Sequence, residues 1–571
     1  MKVSEAVGQI IARMGAGHVF GVVGSGNFRA TNALLATAGP AGHPPRFTAT
    51  RHEMGAACMA DAYGRVTGTF AVVTVHQGCG LSNALTGLGE AAKARTPLLV
   101  ISGDTPGGQF GSNFWIDQDK VIEGMGAVAE RLHSADRAIE DTVRAVTRAV
   151  VDRRTVVLSM PLDIQEAEIP EAQIEQVQAA APPAHPDPAG LNDQAAREIA
   201  DALLTAERPV LLAGRGAHHA EEPLLRLGEL SGALLTTSAA GRGLFVDDPW
   251  HTDVMGGFAT DGAAELVAEA DLLVVFGAAL NRWTTRSGAL LANKTVIQID
   301  DTVSAFGLHY PVTRSVLSDS ALAAVALCAA LEAQVAEHPQ VGSLPRTGYR
   351  TEEVGRRVRD SLHWRDQPFE DRSEPAAEGR GGVIDPRTLT NALDEMLPMD
   401  RVVAPDGGNF NAYPAMHFRV PDTRGYSVPL AFQSIGLAIS SVIGAATAQP
   451  GRVAIAGVGD GGFMMSHVEL DTAVREQLPL VVVVYNDDAY GAEVHHFEHE
   501  TDQLDTVVFP ATDIAALARG YGCEALTVRS VEDLAPVADW VAGPRTTPLV
   551  IDAKIAKFAS WVLAHTFGAD E

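Results

Sequence analysis

Positive charge is scarce in this chain. Its 43 lysines and arginines face 71 aspartates and glutamates, a formal net charge of −28. Such a surface repels nucleic-acid phosphate and anionic lipid, which speaks against nucleic acid or a membrane as partners. It also means that an anionic ligand must be met locally, by backbone N–H groups or a metal. Cysteine is rarer: four in 571 residues, Cys58, Cys79, Cys328 and Cys523, with no CxxC pair and no metal-ligand spacing. That usage fits buried, reduced thiols in a cytosolic protein. Missing too are the apolar core and cleavage site of a signal peptide at the N-terminus, and any stretch of the ~20 apolar residues that crosses a bilayer. A cytoplasmic location is the expectation.

At roughly 100–200 residues per domain, 571 residues make about three or four domains. Two segments read as connections. Residues 171–190 are rich in Ala, Pro and Gln, residues 366–382 are polar and charged, and both lack apolar periodicity. They divide the chain into blocks at 1–170, 191–345 and 383–571. Each block alternates short β-branched runs with helical patterns, which predicts an α/β fold of three doubly wound parallel sheets. The strands are HVFGVV, FAVVTV and TPLLVIS in the first block, RPVLLAG, DLLVVFG and KTVIQID in the second, and RVVAPDG, RVAIAGVG, LPLVVVVYN and TPLVIDA in the third. Several end in Gly or Asp, where an open parallel sheet places its ligand-binding loops.

The most specific stretch runs from Arg452 to Gly491. A buried strand ends at Gly459-Asp460-Gly461-Gly462, a helix follows, and a second buried strand ends at Asn486-Asp487-Asp488-Ala489. Adjacent parallel strands put their C-terminal ends side by side, so Asp460 and Asp487 face one small space. Two carboxylate oxygens, a main-chain carbonyl and a water leave room for two phosphate oxygens around an octahedral Mg²⁺. Glycines allow close backbone approach to phosphate, and a helix N-terminus after Gly462 adds N–H donors. GDG alone is more often a turn in an ordinary α/β domain. The whole strand–loop–helix–strand stretch, with its EL-x-TA-x-R-x-x-LP insert from Glu469 to Pro479, resembles the thiamine-diphosphate motif. The resemblance implies thiamine diphosphate and Mg²⁺ as cofactors, with Asp460, Asp487 and the Ala489 carbonyl on the metal and Gly459, Gly461 and Gly462 around the diphosphate. The second Asn of the family motif is Asp487 here, which predicts weaker cofactor binding or a stronger demand for the metal.

In the first block, RHE-x-x-A-x-x-x-A-x-x-Y-x-R-x-TG at residues 51–68 resembles the acetolactate synthase-like family around its cofactor-activating glutamate. Carried over, Glu53 bonds the N1′ atom of the aminopyrimidine and shares a proton with it. In that family the first block of one subunit and the third block of another hold one cofactor. The resemblance therefore implies a homodimer at least, with a homotetramer expected. Ile435, in PLAFQSIGLAISSVIGAA at 429–446, falls at the bulky residue that bends the cofactor; Gly407, Gly408 and Asn409 follow a strand and are candidates for the diphosphate.

Candidate acid–base groups for the substrate come next. His76 ends the strand FAVVTV in HQGCGLSNAL. It departs from the Ser-Gly-Pro-Gly of acetolactate synthases and is closer to the catalytic histidine loop of benzoylformate decarboxylases. Ser25, in VVGSGN, matches that group's active-site serine, Glu493 falls near an active-site glutamate of pyruvate decarboxylases, and Gln118 near the family's glutamine. GAALNRW at 277–283 breaks the pattern of the FAD-dependent members at Ala279 and Asn281, which counts against FAD. A nucleotide site at 214–222 lacks GxGxxG. The expectation is a decarboxylase or carboligase acting on a 2-oxo acid or aldehyde. An acetolactate synthase and a catalytically silent cofactor-fold subunit are the alternatives.

Overall fold

A computed structural model describes residues 1–361, 363–377 and 381–566. Three parallel sheets follow one another along the chain. The first holds β1 (His18–Gly21), β2 (Arg46–Ala49), β3 (Ala71–Val75), β4 (Leu98–Asp104), β5 (Val128–Arg131) and β6 (Thr155–Pro161), in the order β2-β1-β3-β4-β6-β5. The second holds β7 (Pro209–Ala213), β8 (Leu234–Thr237), β9 (His251–Val254), β10 (Leu272–Phe276), β11 (Thr295–Asp300) and β12 (Arg314–Leu317), in the order β12-β11-β10-β7-β8-β9. The third holds β13 (Arg401–Pro405), β14 (Val453–Gly459), β15 (Leu480–Asn486), β16 (Glu524–Val528) and β17 (Leu549–Lys554), in the order β13-β14-β15-β17-β16. The central strands are apolar along their whole length because helices cover both faces. Every residue of β3, β4, β14 and β15 is buried.

The connections differ in part from the expected ones. Residues 171–178 are helical, and Val177 is buried in the core of the first domain. The second core takes in Tyr349, Val354 and Val358, so the central domain runs past 345 into the helix Glu352–Ser361. Residues 378–380 of the second connection, and 567–571 of the third block, lie outside the described residues. Among the described residues one helix, Ser320–Glu337, has the length and composition of a membrane span. Its Ala323, Ala324, Leu327 and Leu331 are fully buried in the second core.

The first and third domains share a core. The helix Glu53–Thr67 packs against the helix Ala438–Ala448, and Ala56, Met59 and Ala60 join Ile439, Val442 and Ile443 in one cluster. Small residues bring the two backbones close. A side chain on Gly444 would overlap the main chain of Met59. Buried charges tie the same interface. Arg65 donates to Asp61 Oδ1 at 3.0 Å, to Glu90 Oε1 at 2.7 Å and to the Val428 carbonyl at 2.7 Å. Glu90 accepts the amides of Ala431 at 3.0 Å and Phe432 at 2.7 Å. Burial works against the charge of Arg65, but Asp61 and Glu90 outweigh it and hold the guanidinium above its ordinary value.

Candidate active site

The site is built in two halves. In the third domain β14 and β15 pair in parallel, with Gly459 opposite Tyr485, so Asp460 and Asp487 leave adjacent strand ends. The strand β14 runs into the helix Asp460–Ser466, which begins at Asp460 and not after Gly462. At the end of β15, Asn486 Nδ2 donates to Asp552 Oδ1 at 2.8 Å, and its Oδ1 accepts the Asp488 amide at 3.1 Å. Asp488 takes a positive φ of 54°, which turns the chain sharply and sets Asp487 over Gly491. The Asp460 and Asp487 carboxyls converge, and both are buried. Burial, then the neighbouring charge of Asp487, pushes Asp460 well above the ordinary carboxylate range; burial likewise raises Asp487. Asp460 Oδ1 is buried without a hydrogen-bond partner.

A divalent cation fits that arrangement. It would neutralise two converging carboxylates and fill the lone pair of an orphaned oxygen. No group of three or more His, Cys, Asp or Glu gathers as a metal site among the described residues, so further ligands have to come from backbone and from the bound anion. Ala489 is placed for this. The antiparallel bridge to Val508 is made by the Tyr490 amide and the Asp488 carbonyl, which leaves the Ala489 carbonyl out of that pair of bonds.

The glycines around Asp460 are held to that residue type by their neighbours. Side chains on Gly459, Gly461 and Gly462 would collide with Phe410, Tyr490 and Asp406 in turn. Glycine is required there by protein packing. Asp406, buried, accepts the Gly436 amide at 2.7 Å and the Leu437 amide at 3.1 Å, and so fixes the turn after Ile435. Burial lifts its carboxyl to about 6. Ile435 is half-buried, with Cγ2 3.2 Å from where a Gly407 side chain would begin. Gly408 has a φ of 124° and is exposed. In Asn409, Nδ2 donates to the Phe558 carbonyl at 2.9 Å and Oδ1 accepts the Ser560 amide at 2.8 Å. One N–H of that amide and its oxygen tie down the C-terminal segment.

The other half lies in the first domain, at the C-terminal ends of β1 and β3. Glu53 opens its helix and is 8% exposed. Its helix is docked from outside by Glu469, which accepts the amides of Arg51 at 3.1 Å and His52 at 2.9 Å. Asn83 Nδ2 donates to Glu53 Oε2 at 3.1 Å. His76 stands beside Gly80, whose side-chain position lies 3.2 Å from His76 Cβ and 3.3 Å from Glu53 Oε1. The loop carrying Ser25 folds over His76: a side chain on Gly24 would begin 3.0 Å from the imidazole, and one on Gly26 2.8 Å from Nδ1. Asn27 pins that loop through Val22, Gly24 and Thr74. Two polar atoms there, His76 Nδ1 and Gln77 Oε1, are buried without partners. Phe114 places its ring 5.2 Å from that of His76. The same domain holds a cavity of about 250 Å³ whose lining includes Asp104, Phe110, Trp115, Gln118 and Arg131.

Matches to known proteins fall across both halves. The N-terminal TPP binding domain of thiamine pyrophosphate enzymes matches residues 1–123, the central domain 196–327 and the C-terminal TPP binding domain 406–553. A Pseudomonas aeruginosa protein named "Probable 2-ketoarginine decarboxylase AruI" is 30% identical over 547 residues, 93% of this chain and 89% of that protein. The chain belongs to the thiamine pyrophosphate enzyme family. The sulfoacetaldehyde acetyltransferase of Alcaligenes xylosoxydans xylosoxydans is 27% identical over 553 residues, 94% of this chain and 89% of that one. Among solved structures, the thiamine diphosphate-dependent 4-hydroxybenzoylformate decarboxylase of Rhodococcus jostii RHA1 superposes with a TM-score of 0.77 at 21% identity, covering 98% of this chain and 100% of that chain. That likeness establishes the fold.

Within this thiamine pyrophosphate enzyme, Ser25, Glu53 and His76 come together in the first half-site, and Ile435, Asp460 and Asp487 in the second. The other two predicted catalytic residues, Gln118 and Glu493, lie on short helices of the first and third domains. Gln118 is 1% exposed; its Oε1 accepts from Ser102 at 2.8 Å and its Nε2 donates to the Gly103 carbonyl at 3.0 Å. That amide braces β4 with its oxygen and one of its two N–H groups. Glu493 is exposed on the helix Gly491–Phe497, in the half-site of Asp487 and not that of His76. Sequence reasoning missed Asp406, Asn83, Arg65 and Glu90. Arg65 lay inside the quoted motif, and a lone carboxylate such as Glu90 at an apolar helix position was the available signal.

Proposed function

We propose that this enzyme is a Mg²⁺-dependent decarboxylase or carboligase acting on a 2-oxo acid or a related carbonyl compound. The observation that carries the reading is the buried Asp460–Asp487 pair with its unpartnered oxygen, set at adjacent strand ends. Asp460, Asp487 and the Ala489 carbonyl would hold Mg²⁺ and, through it, the diphosphate. When bound, thiamine diphosphate supplies a nucleophilic carbon that adds to a carbonyl and accepts the electrons released on loss of CO₂. Ile435 would help to hold that cofactor. Glu53 would share a proton with the aminopyrimidine nitrogen from a dry helix end. His76 would deliver or remove a proton at the substrate oxygen, and Ser25 would orient the substrate carboxylate. The half-sites would be completed across a homodimer, each chain lending Glu53 to its partner's cofactor. Decarboxylase and acyltransferase names both occur among the relatives. The His76 loop favours release of an aldehyde over acetolactate formation.

The test is reconstitution with thiamine diphosphate and Mg²⁺, then a panel of 2-oxo acids, following CO₂ release and coupled hydroxyketones. Release without coupling supports a decarboxylase and coupling a carboligase. Glu53→Gln should keep cofactor binding and lose exchange of the cofactor C2 proton. No turnover across the panel and no Mg²⁺-dependent cofactor binding would sink the proposal.

A further inference from the structure

The two oxygens of Glu53 are not equivalent. Oε2 faces Asn83, whose Nδ2 lies 3.1 Å away. Oε1 faces Gly80, 3.3 Å from the point where a side chain there would begin, on the side of His76. Asn83 and Gly80 share the helix Cys79–Lys93, whose far end is fixed by the buried Glu90 through Arg65 and the amides of Ala431 and Phe432. The amide is therefore held by an anchored helix, although Asn83 itself is exposed and packs into no core.

An N–H group only donates. The oxygen that faces it keeps a lone pair in that direction, so a proton carried by the carboxyl belongs on the other oxygen. With the amide turned over, Oδ1 would meet Oε2 and be satisfied only by a proton pointing at Asn83, away from the opening beside Gly80. Ionised Glu53 permits only the first orientation, because two acceptors repel.

We propose that Asn83 is a positioning residue for Glu53: it occupies Oε2 and thereby assigns the shared proton to Oε1, the oxygen on the Gly80 and His76 side. The inference rests on reading Glu53 as the activating acid. Without the amide, the carboxyl can rotate or carry its proton on the wrong oxygen, and the loss is that of one hydrogen bond to a charged or charge-sharing group, about tenfold in rate.

The experiment compares holoenzyme of wild type, Asn83→Leu, Asn83→Asp and Glu53→Gln, each with thiamine diphosphate and Mg²⁺. Deuterium exchange of the cofactor C2 proton is followed by quenched-flow NMR from pH 5.5 to 8.5, alongside calorimetric cofactor affinity and thermal melts. Asn83→Leu should slow exchange about tenfold or more and displace its pH profile, with cofactor affinity within about threefold of wild type. Asn83→Asp keeps the shape and loses the donor, so it should be slow at neutral pH and recover as the solution is acidified. Wild-type exchange with an unmoved pH profile in Asn83→Leu overturns the proposal; if that variant fails to fold, the same result in Asn83→Asp does so. Wild-type exchange in Glu53→Gln would instead overturn the role of Glu53 itself.

Discussion

Replacing Arg65 with methionine keeps the aliphatic stem and removes every hydrogen bond of the guanidinium. The side chains of Arg65, Asp61 and Glu90 are 10%, 1% and 0% exposed, so no solvent stands ready to take over. The substitution strands two carboxylates. Asp61 keeps the Thr96 hydroxyl at 2.5 Å, and Glu90 keeps the amides of Ala431 and Phe432. Removing one partner of a buried ion pair costs about 3–5 kcal/mol. The donors that remain limit the damage from the second charge, so the expected loss is about 4 kcal/mol. At an m-value of about 2 kcal/mol per M this is a fall of about 2 M in the urea midpoint at pH 8. Adding Glu90→Gln should restore part of it, since a neutral amide is easier to bury than an unpaired charge. Cofactor affinity should fall too, because Arg65 and Glu90 hold residues 428–432, just ahead of Ile435. A midpoint within about 0.3 M of wild type, or a double variant weaker than Arg65→Met alone, would refute the reasoning.

Two further expectations follow from close contacts. Gly444→Ala places a methyl against the main chain of Met59, which cannot move aside as a flexible side chain can; a loss of about 1–3 kcal/mol is expected, read as a melting temperature lower by several degrees. An unchanged melt would mean that the two helices are free to separate. Asp487→Asn removes the like-charge neighbour of Asp460. Folding raises both carboxyls above the value near 3.8 of an unfolded aspartate, so the folded form holds extra protons and stability drains away as pH climbs from about 4 through neutrality. The apo variant should therefore melt above wild type at pH 8 and level with it near pH 4, while needing more Mg²⁺ for half-saturation. A wild-type melt at both pH values would count against the shared burial of the pair.

Most strands that fill the middle of each sheet were legible because both of their faces are covered and they are rich in apolar residues, as in VVVV of β15; β6 and β8, equally buried, were missed. Of those at the edges, β13 was legible and four were not. β5 (VAER), β9 (HTDV), β12 (RSVL) and β16 (EALTV) show water on one side and mix polar residues into a short run. The two acidic strand ends at Asp460 and Asp487 were legible from spacing, because a parallel pair aligns its C-termini. What spacing does not carry is how a side chain spends its hydrogen bonds. Asn409 and Gln118 have the right place and chemistry for ligand contact, yet each spends its oxygen and one N–H on backbone or on Ser102. Likewise the need for glycine at 459, 461 and 462 comes from Phe410, Tyr490 and Asp406, two of which lie about 50 residues upstream. Asp406 and Glu90 act through main-chain amides, which leave no pattern in side-chain identity.

All strand-to-strand ladders of the three sheets run parallel, and this shapes how the polypeptide reaches its native state. No ladder can zip from a tight hairpin. Arg401 waits for Val453, and Ala454 for Leu480, with a crossover to be ordered first in each case. Emerging from the ribosome, such a chain carries unpaired, valine-rich segments until the partner has been synthesised, which is the interval in which aggregation competes. Yield on overexpression should consequently respond more to slower synthesis at low temperature than to changes at the surface.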